Sequence, residues 1–276
     1  MKAVRFATKD GNVRLGRLDG ETITDAGPAP VGGFAPTPEA WAALAAASGT
    51  THTLAEVTLL HPVAPGKVIA IGLNYRDHAE ESELDIPEVP VVFAKFPSSL
   101  IGSGATIVVP REETRPDYEA ELAVVIGKRT YRATLENALE SVGGYTAIND
   151  VSGRRAQLET PLRQFVYGKS FDTFGPLGPA ITSMEGVNLG DIDVSTSING
   201  EVLQSSNTRN LIFSVAEIIE YISRGTTLEP GDVIATGTPG GVGDGRNPKR
   251  YLLDGEVVEV TVSGVGTLSN PVRHER

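Results

Sequence analysis

Cysteine is absent from all 276 residues. Disulfides, a thiolate nucleophile, iron–sulfur clusters and thiolate zinc sites are excluded together. Histidine is sparse: His52, His61, His78 and His274 lie far apart in the chain, so no cluster suggests a zinc held by imidazoles. Positive charge is in deficit, with 24 Lys and Arg against 35 Asp and Glu and a formal net charge of -11. A field of that sign repels nucleic acid and anionic membrane, so neither is expected as a partner. It repels anionic small molecules too, so a carboxylate substrate would need a local metal, Lys or Arg. No apolar run approaches a membrane span, and the stretch from Met1 to Asp10 has no signal core, so a cytoplasmic location is expected.

The chain is 40% hydrophobic and 21% charged, enough to bury a sizeable core. Its opening reads as a small unit over residues 1–63. Ala3–Phe6, Val13–Leu18 and Glu21–Thr24 are short strand candidates separated by the turn signals Asp10-Gly11 and Asp19-Gly20, and Pro38–Ala47 reads as a helix. Residues 64–276 form the larger unit, in which β-branched runs such as Lys67–Ile71, Val91–Lys95, Glu119–Ile126, Tyr145–Asn149 and Val257–Val262 dominate. Helices are expected around Asn74–Glu83, Thr134–Val142, Arg154–Thr160 and Ser214–Ser223. Strands and helices do not alternate, so a doubly wound parallel sheet is excluded and the class is α+β, β-rich.

Three carboxylates carry the chemistry. Glu119 and Glu121 stand two apart in a strand and so share one face, and the apolar run from Leu122 to Ile126 implies that this face is buried. Buried paired carboxylates repel unless a cation lies between them. Asp150 ends the apolar strand Tyr145–Asn149 and supplies a third acid. An all-oxygen set suits Mg2+ or Mn2+ better than zinc. His78 and Glu81, three apart, would share a helix face, an arrangement that orients an imidazole as a general base. Lys169 lies in Gly168-Lys169-Ser170, but Arg163 occupies the place of the leading glycine of a phosphate loop, so that reading fails. Thr236 to Gly243 is a Gly-rich turn after a strand, where Gly237 lets the backbone approach a ligand and Thr238 adds a hydroxyl. The segment from Asn74 to Pro90 is acidic with few apolar residues and is expected to act as a mobile lid carrying His78.

These pieces together resemble the fumarylacetoacetate hydrolase family. The match runs through Gly72 to His78 with Glu81, Val92 to Lys95, Asp117 to Gly127, Asn149-Asp150, Gly168 to Asp172 and Thr236 to Gly243, in the family's order. The resemblance implies a mixed β-roll/β-sandwich catalytic domain behind a small N-terminal β-containing domain, and a homodimer. It implies one Mg2+ or Mn2+ per subunit on Glu119, Glu121 and Asp150, and assigns His78 with Glu81 to activating water. Lys169, Thr238 and Arg154 match positions that contact substrate. Ser152-Gly153-Arg154-Arg155 departs from the family's usual Ser-Ala-Arg-Asp, leaving open whether Arg154 or Arg155 faces the site. Lys95 matches without an assignable role.

The implied substrate is a small anionic 2-oxo acid passing through an enolate stabilised by the metal. C–C bond hydrolysis of a 2,4-dioxo acid, of the acylpyruvate or fumarylacetoacetate type, is the first expectation because both His78 and Glu81 are present. The alternatives are decarboxylation of oxaloacetate and isomerisation of 2-hydroxyhepta-2,4-diene-1,7-dioate in aromatic catabolism. A non-catalytic metal- or carboxylate-binding protein is the remaining reading.

Overall fold

The computed structural model describes residues 1–159 and 161–276. A 12-stranded mixed sheet forms the centre of the molecule. Its path runs through Thr51–Thr53, Thr22–Pro28, Val13–Asp19, Lys2–Ala7, Gly175–Ser183, Val142–Asn149, Ala120–Ile126, Val233–Ala235, Val68–Gly72 and Val91–Lys95. A five-stranded sheet, ordered Glu201–Asn207, Asp193–Ile198, Val257–Val262, Gly266–His274 and Ile107–Val109, packs against it. Asn199-Gly200 joins Asp193–Ile198 to Glu201–Asn207 as a hairpin, as the sequence predicts.

The strand Ala120–Ile126 shows why its sequence is apolar throughout. Leu122, Val124 and Ile126 enter a core shared with the second sheet and the helix Val215–Ser223. Ala123 and Val125 face the opposite core, built with Ile148, Leu177, Val68 and Val233. A strand covered on both faces has no polar alternation to show. Val215–Ser223 begins at Ser214, whose hydroxyl accepts from Glu217 N–H while the Glu217 carboxylate accepts from Ser214 N–H, a reciprocal cap.

Three expected helices differ. Arg76–Glu81 is shorter than Asn74–Glu83, because the Asn74 side chain is committed to Phe213 and Thr236. Arg154–Leu158 replaces Arg154–Thr160, and Thr160 lies outside the described residues. Thr134–Val142 contains only a 3-10 turn at Ala138–Ser141. The Asn137 carboxamide takes the Thr134 N–H, and Val142 already belongs to a strand.

The N-terminal strands continue the main sheet. Lys2 and Ala3 pair with Thr182 and Ile181, and Pro36 seats its carbonyl over Gly127 and Gly143. Trp41, the single tryptophan, donates its indole N–H to Gly143 O at 2.8 Å. Its fluorescence therefore reports on this junction. With one continuous sheet, denaturant unfolding followed by Trp41 fluorescence and by far-UV circular dichroism should give one midpoint. Two separated midpoints would show that residues 1–63 unfold as a unit of their own.

Candidate active site

Strand register assembles the carboxylates. Ala120 pairs with Asn149, and one residue further Asp150 N–H donates to Glu119 O at 2.9 Å. Asp150 therefore leaves its strand beside Glu119. One oxygen from each of Glu119, Glu121 and Asp150 lies within 4.8 Å of the others, and all three residues are buried. On the other side Ala235 pairs with Ala123, and the chain runs on along the same strand. Thr236 N–H donates to Leu122 O, Gly237 N–H to Glu121 Oε2 at 2.7 Å, and Thr238 Oγ1 to Ala120 O. Gly237 has φ of +105°, and a Cβ there would meet Asn74 Cβ at 2.7 Å, so both conformation and space require glycine.

Buried cations surround this cluster. Lys169 Nζ lies 2.6 Å from Glu119 Oε2 and 2.7 Å from Asp150 Oδ2. Lys95 Nζ lies 2.7 Å from Asp150 Oδ1, and Arg154 joins Glu119 Oε1 at 2.7 Å to Asp117 Oδ2 at 2.8 Å. Burial works against the charge of each group, and the partners decide the outcome. Burial outweighs Asp150 at Lys95 and lowers its pKa, whereas Asp150 and Glu119 prevail at Lys169 and raise it. At Glu119, burial is overcome by Lys169 and Arg154, which hold the carboxyl well below the usual range. Glu121 goes the other way: burial, reinforced by the charges of Asp150 and Glu119, pushes it well above that range.

The donor set fits a divalent cation. Among the described residues Glu121 forms no ion pair, and no well-directed hydrogen bond reaches buried Asp150 Oδ1 despite the nearness of Lys95. Asp117, Glu119, Glu121 and Asp150 outnumber Lys95, Arg154 and Lys169 by one. A dication on the all-oxygen set would remove that deficit and leave the centre net positive, suited to an anion.

The sequence-selected residues divide into two groups. Glu119, Glu121, Asp150 and Lys169 meet at one centre, and the His78 charge is close enough to influence Glu119. His78 Nδ1 and Glu81 Oε2 are 3.4 Å apart, the expected pair. At Glu81 burial is outweighed by hydrogen bonds from His78 and Gly241 N–H, which lower its pKa. Arg154 and Thr238 are engaged within the protein. Every guanidinium nitrogen of Arg154 is engaged, by Asp117, Glu119 and Gln157, and Thr238 Oγ1 is held between Ala120 O and Gln204 Nε2. These bonds brace Glu119 and the start of the strand Ala120–Ile126. Arg155 faces solvent with Glu159, so the inward arginine is Arg154.

Sequence reasoning missed Asp117 and Gln204. Asp117 fastens the Gly-rich loop to Arg154 by accepting from Gly243 and Asp244 N–H. Gln204 accepts from Ala120 N–H and donates to Thr238 and Pro239. The expected lid is anchored at its start: Asn74, Tyr75 and Ala79 are buried, Ser206 Oγ donates to Asp77, and Gly241 N–H donates to Glu81. Exposed apolar surface begins only afterwards, at Leu84, Ile86 and Val89.

Residues 67–273 match the fumarylacetoacetate (FAA) hydrolase C-terminal family, and residues 1–62 match the Rv2993c-like N-terminal family. The chain is 45% identical over 227 residues to oxaloacetate tautomerase YisK of Bacillus subtilis, covering 80% of this chain and 75% of the relative. A structure of 5-carboxymethyl-2-hydroxymuconate delta-isomerase from Mycobacterium smegmatis superposes with a TM-score of 0.83 at 35% identity, covering 100% of both chains. Fumarylacetoacetate hydrolase from Exiguobacterium antarcticum gives a TM-score of 0.83 at 38% identity, again over 100% of both.

The raised pKa of Glu121 would couple a cation bound there to proton release. Without a cation, Glu121 stabilises the fold below the ordinary carboxylate value of about 4.5, and that contribution is lost as pH rises through its higher folded value. A cation takes the ionised form, so Mn2+ binding should release a proton and tighten with pH until Glu121 is ionised. Titration calorimetry in buffers of different ionisation enthalpy measures the release. Proton-neutral, pH-independent binding would exclude it.

Proposed function

The chain belongs to the fumarylacetoacetate hydrolase family, whose members are enzymes, and on that premise we propose that it catalyses a proton shift beside the 2-oxo group of a small dicarboxylic acid, interconverting enol and keto forms. Oxaloacetate is the proposed substrate. The observation that carries this reading is the His78–Glu81 pair set beside a buried three-carboxylate centre, in a chain 45% identical to an oxaloacetate tautomerase.

Glu119, Glu121 and Asp150 would hold Mg2+ or Mn2+, which when bound supplies positive charge to stabilise the oxyanion developing at the 2-oxygen. The remaining work falls to the chain. Lys169 adds a fixed ammonium at the same centre, its charge secured by Glu119 and Asp150. Glu81 accepts the Nδ1 proton of His78, which leaves Nε2 as the base. Nε2 takes a proton from the carbon next to the 2-oxo group as the electron pair moves to the 2-oxygen. Return of the proton to that oxygen completes the enol, and the reverse sequence forms the ketone. The double-bond shift of a hydroxydienedioate has the same parts, and the likeness to a muconate isomerase supports it as a second reading. C–C hydrolysis, first on the sequence alone, becomes the lesser reading because relatives at 42–45% identity carry oxaloacetate tautomerase names and isomerases are among the similar structures.

A homodimer belongs to the same proposal. Val91–Lys95 is an edge strand that exposes Val91 and Val92, apolar surface of the kind buried between subunits. Sedimentation should return twice the chain mass of 29.1 kDa, and a monomer at micromolar concentration would refute it.

With Mn2+, the purified protein should speed the ultraviolet absorbance decay of enol-oxaloacetate, and a chelator should stop it. His78→Ala should cut this rate by roughly 10²- to 10⁴-fold while Mn2+ affinity stays within twofold. Acylpyruvate cleavage faster than tautomerisation would restore hydrolysis as the main activity.

A further inference from the structure

The loop that receives Glu81 has a position where the lack of a side chain bears on the proton transfer. Gly241 N–H donates to both Glu81 oxygens, at 3.0 and 2.9 Å. Four residues on, an ideal Cβ at Gly245 would lie 2.9 Å from Glu81 Cδ and 3.1 and 3.2 Å from its two oxygens. The three nearest atoms to that Cβ all belong to this one carboxylate. Gly245 is exposed and is not among the residues with positive φ, so its backbone conformation does not require glycine. What a side chain here would meet is the Glu81 carboxylate.

We propose that Gly245 is a positioning residue: by presenting bare backbone it lets the Gly240–Gly245 turn cradle the Glu81 carboxylate, which in turn holds the His78 ring. The idea rests on the reading of His78 and Glu81 as the acid–base pair. Its physical basis is the direction in which strain would be relieved. A methyl at 245 meets the end of a flexible side chain, so Glu81 yields and the loop does not. Gly241 offers no such clean probe, since its φ is +98° and a Cβ there would lie 2.4 Å from Leu203 O. The Glu81 carboxylate has little room to yield without consequence. Its contact with His78 Nδ1 is 3.4 Å, near the limit of hydrogen-bond range, so displacement by a methyl at 245 would alter the geometry that holds the ring. The other charged groups that bear on the pair are Arg246 beside Glu81, Asp77 on the same helix, held by Ser206 and Gly240, and Glu119 across the site. None of them bonds His78 Nδ1 in place of Glu81.

The test is a double-mutant cycle of Gly245→Ala with Glu81→Ala in the full-length protein, read by tautomerisation kinetics with Mn2+ and, with diamagnetic Mg2+ in its place, by 15N signals of the His78 ring. In the wild-type background G245A should lower kcat about 10- to 100-fold, the scale of a misplaced catalytic group. KM, Mn2+ affinity and the melting temperature should stay essentially unchanged, and the ring signals should shift towards those of E81A. In the E81A background G245A should change kcat by less than twofold, because the group it displaces is gone. Equal losses in both backgrounds would assign Gly245 to the loop fold and overturn the proposal. So would wild-type kcat and unshifted ring signals in G245A. If E81A itself kept full kcat, the acid–base reading would fail instead, and the G245A ring signals would still decide whether Gly245 keeps Glu81 in place.

Discussion

Four buried carboxylates, three around the start of one interior strand and one at the end of its neighbour, impose the main constraint on this molecule. Asp117, Glu119, Glu121 and Asp150 cannot all be ionised in a dry interior without nearby positive charge. Lys95, Arg154 and Lys169 answer most of it, and each comes from a different part of the chain: an edge strand, a short helix after Asp150, and the end of the next helix. Those segments must fold back to one point for the charges to balance. The burial of Lys95 opposite Asp150 would be unfavourable in isolation and makes sense only as part of this balance.

The sheet provides the precision. Antiparallel pairing on both sides of Ala120–Ile126 brings Asp150 to Glu119 on one flank and Gly237 to Glu121 on the other. The parallel pairing of Val233–Ala235 with Val68–Gly72 then carries the chain to the helix that bears His78. Arg154, Thr238 and Gln204 spend their hydrogen bonds fixing the strand and the Gly-rich loop relative to each other. A rigid frame of this kind holds charges in place before a substrate arrives, which is where electrostatic stabilisation of an oxyanion gains its strength.

The His78–Glu81 pair is mounted differently from the buried carboxylates. His78 and Glu81 sit on a one-and-a-half-turn helix tied down through side-chain contacts to the Gly-rich loop and Ser206, and only Asn74, Tyr75 and Ala79 anchor it into the core. The exposed stretch that follows, from Leu84 to Val92, is the least embedded part of the site's surroundings. In the proposed reaction the framed carboxylates would serve charge stabilisation, and the pair on this short helix would serve proton transfer.

By itself the sequence determined the chemistry of the centre. The two-residue spacing of Glu119 and Glu121, the apolar run behind them, Asp150 at a strand end and the absence of cysteine are local or compositional facts, and they survive folding because a strand's side-chain alternation is intrinsic. The β-rich class and the Asn199-Gly200 hairpin were legible for the same reason. Tertiary structure alone decided which residues support the site. Arg154 and Thr238, at positions that resemble substrate contacts in sequence, also take partners remote in the chain, Asp117, Glu119 and Gln204. Lys95 gained a role only when its edge strand was brought opposite Asp150. The expected Thr134–Val142 helix is cut down to a 3-10 turn at Ala138–Ser141, and Val142 pairs with Ile126 across the sheet, a gain that local propensity does not register. Register and long-range pairing choose between the partners a side chain could take, and neither is written in the spacing of any single segment.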